Sequence, residues 1–234
     1  MELSFGSIAN SGNGISYLHA WNIYEDVKFD GVDDPKTGTS ANGTSWKSWS
    51  FNFSCPKGVF SKSIFAPTDM TIKRRQFTNA NGHEITFPSG FEENKEFIAQ
   101  VLKAYNPEGF KKLCEIAPKI KTFDEFIAAA KKLLTNVTKT TNIKLTGRAS
   151  QDGRVFADIP RLCAINSKTG ELFTSDVFIG DNVSFTDYQL GKKKEYEAHK
   201  PSSSPAITTD NIIVSETPSN DDDKEIGDLL NELL

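Results

Sequence analysis

The chain has 234 residues, 37% apolar and 25% charged, with a mean hydropathy of −0.42 and a net charge of −4. That is enough for one full domain with an appendage, and no run approaches the roughly 18–20 apolar residues of a membrane span. Three widely spaced cysteines (Cys55, Cys114, Cys163) argue against a disulfide framework or a zinc site. With no basic, apolar leader at Met1–Ser4, they imply a reducing compartment and an expected cytoplasmic location.

Residues 1–14, rich in Gly, Ser and Asn, are expected to form a loose arm. From Ile15 to Phe29 the odd positions Ile15, Tyr17, Trp21, Ile23, Val27 and Phe29 are apolar, the period of a half-buried strand long enough to bend across a barrel. His19 falls on that apolar face, where a hydrogen-bonded core histidine is expected. Asp30 to Ser45 shows no period and is expected as a long polar loop, placed to close over a groove. Trp46 to Cys55 then alternates almost strictly. Lys47, Trp49, Phe51, Phe53 and Cys55 face one way, expected to be inward, and Trp46, Ser48, Ser50, Asn52 and Ser54 face the other. A Pro56-Lys57-Gly58 turn leads to a strand over Val59–Ala66, and another is expected over Met70–Phe77. Asn81-Gly82 signals a hairpin returning through Glu84–Phe87, so the first 88 residues read as an antiparallel meander.

The period becomes helical at Phe91. A first helix is expected over Phe91–Asn106. Asn106-Pro107 supplies an N-cap and a proline at the first helical position for a second, Pro107–Ala117. Thr122 and Glu125 form a capping box opening a third, Phe123–Asn136. Strands are expected again at Asn142–Arg148, Arg154–Ile159, Leu162–Ile165, Leu172–Ile179 and Val183–Leu190. Strands, helices, strands is the order of one domain over 1–190, mainly β with a helical insertion at about 91–137: an antiparallel barrel or sandwich, α+β overall.

From Gly191 the chain turns basic, then rich in proline and serine, and 191–220 is expected to be a disordered linker. Residues 210–234 hold eight acids against Lys224, a charge of −7; the whole chain's −4 less that −7 leaves the body at +3. In the tail, 221–234, Asp221, Asp222 and Asp223 precede Ile226, Leu229, Leu230, Leu233 and Leu234, which share one helical face. Acids suit a helix N-terminus, and a helix this short is not stable alone in water, so the segment reads as one that folds on a partner.

Function is concentrated in Trp46–Phe77, where seven aromatic rings alternate with Lys47, Lys57, Lys62, Lys73, Arg74 and Arg75, against Asp69 as the only acid. Cations track phosphates and flat rings stack on exposed bases, so this composition suits a single-stranded nucleic acid. Trp46, alone on a polar face, is the leading stacking candidate; Phe60, beside Lys62, and Phe77, beside Lys73 and Arg75, are the others. Enzyme signatures are absent: no P-loop, nucleophile elbow, CxxC pair or dinucleotide loop, and His19, His83 and His199 have no metal-ligand spacing. Asp26, Asp30, Asp33 and Asp34 are the one acidic cluster that offers a metal-enzyme reading, but they sit in a loop where acids serve turns. No cofactor or metal is expected.

The succession of basic aromatic strands, linker Pro201–Pro218 and acidic tail Asp221–Leu234 resembles the single-stranded DNA-binding proteins of bacteriophage replication, and more distantly those of bacteria. The resemblance implies an OB-type barrel, here elaborated with extra strands and about three helices. It implies sequence-nonspecific protection of single strands in replication, recombination and repair, in the bacterial host cytoplasm. Lys47, Lys57, Lys62, Lys73, Arg74 and Arg75 would meet phosphates while Trp46, Phe60 and Phe77 stack bases. The tail would compete for the same groove and, once displaced, recruit polymerase, primase or helicase. The alternative is a non-enzymatic phage structural or assembly protein that docks through its C-terminal helix.

Overall fold

The computed structural model describes residues 16–67, 73–78, 80–82, 84–149 and 154–198. The expected arm over 1–14, the Gln151–Gly153 turn, most of the linker and all the tail residues Asp221–Leu234 lie outside the described residues. In chain order come β1 (Asn22–Val32), β2 (Lys36–Thr39), β3 (Ser45–Cys55), β4 (Gly58–Phe65), β5 (Arg75–Thr78) and β6 (Glu84–Phe87). Helices α1 (Gly90–Tyr105), α2 (Pro107–Ile116) and α3 (Phe123–Leu133) follow, then β7 (Thr140–Ala149), β8 (Val155–Asp158), β9 (Cys163–Ile165), β10 (Leu172–Thr174) and α4 (Asp187–Ala198).

The main sheet runs β4–β3–β1–β7–β8, antiparallel throughout, with β2 carrying on along the same edge of β3 that β1 pairs with. Its outer strands approach each other. Lys62 of β4 lies 2.6 Å from Asp158 of β8. Residues 16–18 pair with the outer edge of β4, Leu18 N–H donating to Val59 O and Val59 N–H to Ser16 O, each at 2.9 Å. Among the described residues no backbone ladder joins β4 to β8, so the sheet is curled without being closed. β5–β6 and β9–β10 are separate two-stranded hairpins.

The concave face is filled by rings. Phe29, Phe51, Phe53 and Phe60 from the strands meet Phe97 and Tyr105 of α1, and Phe178 stacks on Phe97 at 5.4 Å. The Tyr105 hydroxyl donates to Val27 O at 3.0 Å, which satisfies its one polar atom, and burial pushes its pKa up. The helices begin where their caps dictate. Thr122 and Glu125 form the expected capping box, the Asn106 side chain accepts from Gly109 N–H, and Ser89 with Glu92 forms a second box opening α1.

Several expectations are corrected. The strand from Ile15 does not keep one parity: Leu18, Ala20 and Tyr24 are buried, then Val27 and Phe29. Asp26, at φ 53°, forms a bulge where β1 slips against β7, and one extra residue exchanges the faces. His19 is therefore exposed, only its backbone being tied to the Tyr24 hydroxyl. The expected loop Asp30–Ser45 contains β2, paired with the start of β3. Val183–Leu190 is not a strand, and 191–198, expected as linker, continues α4. That helix is fastened to the body: its N-terminal Gln189 donates to Asp176 at 2.5 Å, and Asp176 pairs at 2.6 Å with Lys144, only 1% exposed in β7.

Candidate nucleic-acid interface

β3 alternates as its sequence requires. Trp49, Phe51 and Phe53 point into the core, and Ser48, Ser50, Asn52 and Ser54 line the convex face. The register of β4 places Ser61, Ser63 and Phe65 beside them. Hydrogen bonds cross-link this polar strip: Ser61 Oγ donates to Asn52 Oδ1 at 2.8 Å, Asn52 Nδ2 to Asp33 at 2.6 Å, and Ser54 Oγ to Asp30 at 2.9 Å. At its end stand two rings. Trp46 and Phe65, 38% and 55% exposed, meet edge to face with centroids 5.9 Å apart. Trp46 lies against the backbone of Gly38 in β2, where a Cβ would come within 2.5 Å of the indole; only glycine admits the ring so close. The indole is thus backed on one side and reachable from the other.

The other proposed contacts divide. Phe60 is buried and stacks on Phe53 at 6.1 Å, so it is no base platform: positions 60, 62 and 64 form the inner face of β4. Among the described residues, Lys47, Lys62 and Arg74 act as fasteners. Lys47 is ion-paired to Asp124 of α3 and lies 5.3 Å over the Trp49 ring; Lys62 holds Asp158; Arg74 forks onto Glu92 at 2.8–3.3 Å and donates to Gly170 O at 2.6 Å. Their acids come from α1, α3 and β8, which no local count of charge could anticipate. Lys57, in the β3–β4 turn, and Lys73, Arg75 and Phe77, at the β5–β6 hairpin, are exposed.

Burial alone would raise the Glu92 carboxyl, but the Arg74 guanidinium and the Ser89 N–H and hydroxyl outweigh it and hold the pKa below its ordinary value. Arg74 is raised in turn by its hydrogen bond to Glu92. Cys163, buried beneath α1, is pushed up to about 11, chiefly by burial and further by Glu93, Glu96 and Glu92; it is an inert thiol. Asp30 accepts from Ser54, Asp33 from Asn52 and Asp34 pairs with Lys131 at 2.8 Å, and among the described residues no group of three metal-ligating side chains occurs. No described helix is long and apolar enough to cross a membrane.

Two groups escaped sequence reasoning. Phe65 lies within the expected strand Val59–Ala66, in step with Ser61 and Ser63 and out of step with the buried Phe60, so following that alternation would have turned it to the polar face that Trp46 shares. Arg148 and Phe156 are cross-strand neighbours in β7–β8, with the Arg154 guanidinium 5.7 Å over the Phe156 ring. They are more than 70 residues beyond the aromatic stretch, and nothing local links them to it. The chain matches no protein-family model, no curated protein and no solved structure.

Proposed function

We propose that this protein binds single-stranded DNA without sequence preference, through the convex face of β3 and β4, and serves replication and recombination by recruiting partners through its acidic C-terminal segment. The observation that carries the reading is the Trp46–Phe65 pair: two large rings left open at the end of a Ser/Asn strip, one of them seated on a glycine. Stacking on such rings contributes about 1–3 kcal/mol per base and tolerates every base.

The order β4–β3–β1–β7–β8, with the helices inserted between β4 and β7, supports an OB-like, partly open five-stranded barrel. In that architecture the second and third strands carry the oligonucleotide face, and here those are β3 and β4. The remaining strands belong to β2 and the two hairpins, which accounts for a strand total above five. Lys57 supplies a phosphate contact beside that face in this reading, and Arg75 and Phe77, with the exposed Lys73, stand beyond it on the β5–β6 hairpin; Lys47, Lys62 and Arg74 are held by described carboxylates.

The test is a titration of the full chain with oligo-dT at several salt concentrations, following tryptophan fluorescence. Trp46 is the most exposed of the three tryptophans and should quench. About three neutralised phosphates on a single strand give a log–log salt slope of about −2. Binding that is flat in salt, or an unresponsive spectrum, sinks the reading.

A further inference from the structure

The β5–β6 hairpin carries an apolar face that the core does not use. Its register pairs Phe77 with Ile85 and Arg75 with Phe87 on one side, and Gln76 with Thr86 and Thr78 with Glu84 on the other. Phe77 and Ile85 are 58% and 40% exposed, directly opposite one another, and neither belongs to the hydrophobic core. Water gains nothing from such a pair, and a two-stranded hairpin is marginal without packing, so an open apolar pair on it calls for a partner.

The chemistry around the pair narrows that partner. Arg75 lies on the same face, and the Arg161 guanidinium sits 4.8 Å over the Phe87 ring, adding a second cation from outside the hairpin. The one acid of the two strands, Glu84, pairs across to Thr78 on the opposite side. A phenyl ring and an aliphatic side chain bounded by guanidinium groups, with Glu84 as the one acid of the two strands and on their other side, complement a ligand that offers flat rings and negative charge at short intervals. That is a single strand of nucleic acid.

Position adds to this. The first turns of α1 hold both surfaces: Glu92 grips Arg74 at the root of the hairpin, and Asn94 Nδ2 donates at 2.8 Å to Phe65 O at the end of β4. The root of the hairpin and the end of β4 therefore meet at one helix start. We infer that the β5–β6 hairpin is a nucleic-acid finger, in which Phe77 and Ile85 take a base and Arg75 and Arg161 its phosphates. It lengthens the footprint beyond the β3–β4 face. The inference rests on the single-strand reading above and adds a second, separable subsite.

The experiment compares the full-length chain with a Phe77→Ser/Ile85→Ser double variant and with Trp46→Ala, each titrated with dT6 and dT25. The altered hairpin residues are exposed, so folding should be retained, checked by circular dichroism. The finger predicts that the double variant binds dT25 about tenfold more weakly while dT6, short enough for the β3–β4 face, changes less than twofold. Arg161→Ala should lower the dT25 salt slope by about 0.7. If wild type binds both oligonucleotides and the double variant matches it on dT25, the finger is overturned and the β3–β4 reading stands. If wild type binds neither, the single-strand reading itself fails and the finger with it. A double variant that only dissociates a wild-type dimer, with dT25 affinity intact, identifies the face as a contact between copies and also overturns the finger.

Discussion

Trp46 and Trp49 are three residues apart and differ in everything but type. Trp49 packs edge to face on Phe123 of α3 at 5.7 Å and is buried; Trp46 lies on Gly38 with solvent beyond it. Their alanine variants should separate cleanly. Trp46→Ala should weaken oligo-dT binding by about 1–3 kcal/mol and leave the melting temperature nearly unchanged. Trp49→Ala should cost about 3–5 kcal/mol of stability, measured by urea unfolding. Equal effects of both on stability would mean that Trp46 is a packing residue. The same division runs through the cations: Lys47 and Lys62 read as phosphate ligands until their carboxylates are seen across 77 and 96 residues of chain.

Among the elements, α1 owes its start to Glu92, whose carboxylate serves the Ser89 cap and the Arg74 guanidinium together. Because its folded pKa lies below the unfolded value, the stabilisation is fully present above the ordinary carboxylate pKa, about 4.3, and is lost as pH falls through the folded value. Glu92→Gln should therefore lower stability at pH 7 and flatten the acid limb of the stability curve below about pH 4. A limb as steep as that of wild type would show that other carboxylates govern it. α4 depends on the interior instead. Lys144 pairs with Asp176 and donates to Ser184 O at 2.7 Å, while Gln189 serves both Asp176 and the Thr186 cap. Lys144→Ala leaves Asp176 without its cation and should cost about 3–5 kcal/mol by urea unfolding, with loss of helix signal from α4. A change below about 1 kcal/mol would mean that water replaces the ammonium.

At the scale of the molecule, the body carries +3 and residues 210–234 carry −7, enough for the end of the chain to compete with a polyanion. Truncation after Ser219 should tighten oligo-dT binding, most strongly at low salt, and abolish recruitment of replication partners. Unchanged affinity would remove self-competition while leaving the DNA reading untouched.

Local chemistry was enough for what depends on neighbours in sequence. The alternation of Trp46–Cys55, the Asn81-Gly82 hairpin and the caps at Asn106 and Thr122 each answer to backbone hydrogen bonds and side-chain parity over a few residues. The reading failed where a backbone irregularity or a distant partner intervened. The bulge at Asp26 moved His19 out of the core, and the pairing of β2 turned an apparent loop into sheet. Which rings face water and which cations are neutralised depended on the curl that brings Asp158 to Lys62 and on the helices that bring Asp124 to Lys47 and Glu92 to Arg74. Charge acts through space, and sequence spacing carries no measure of that distance.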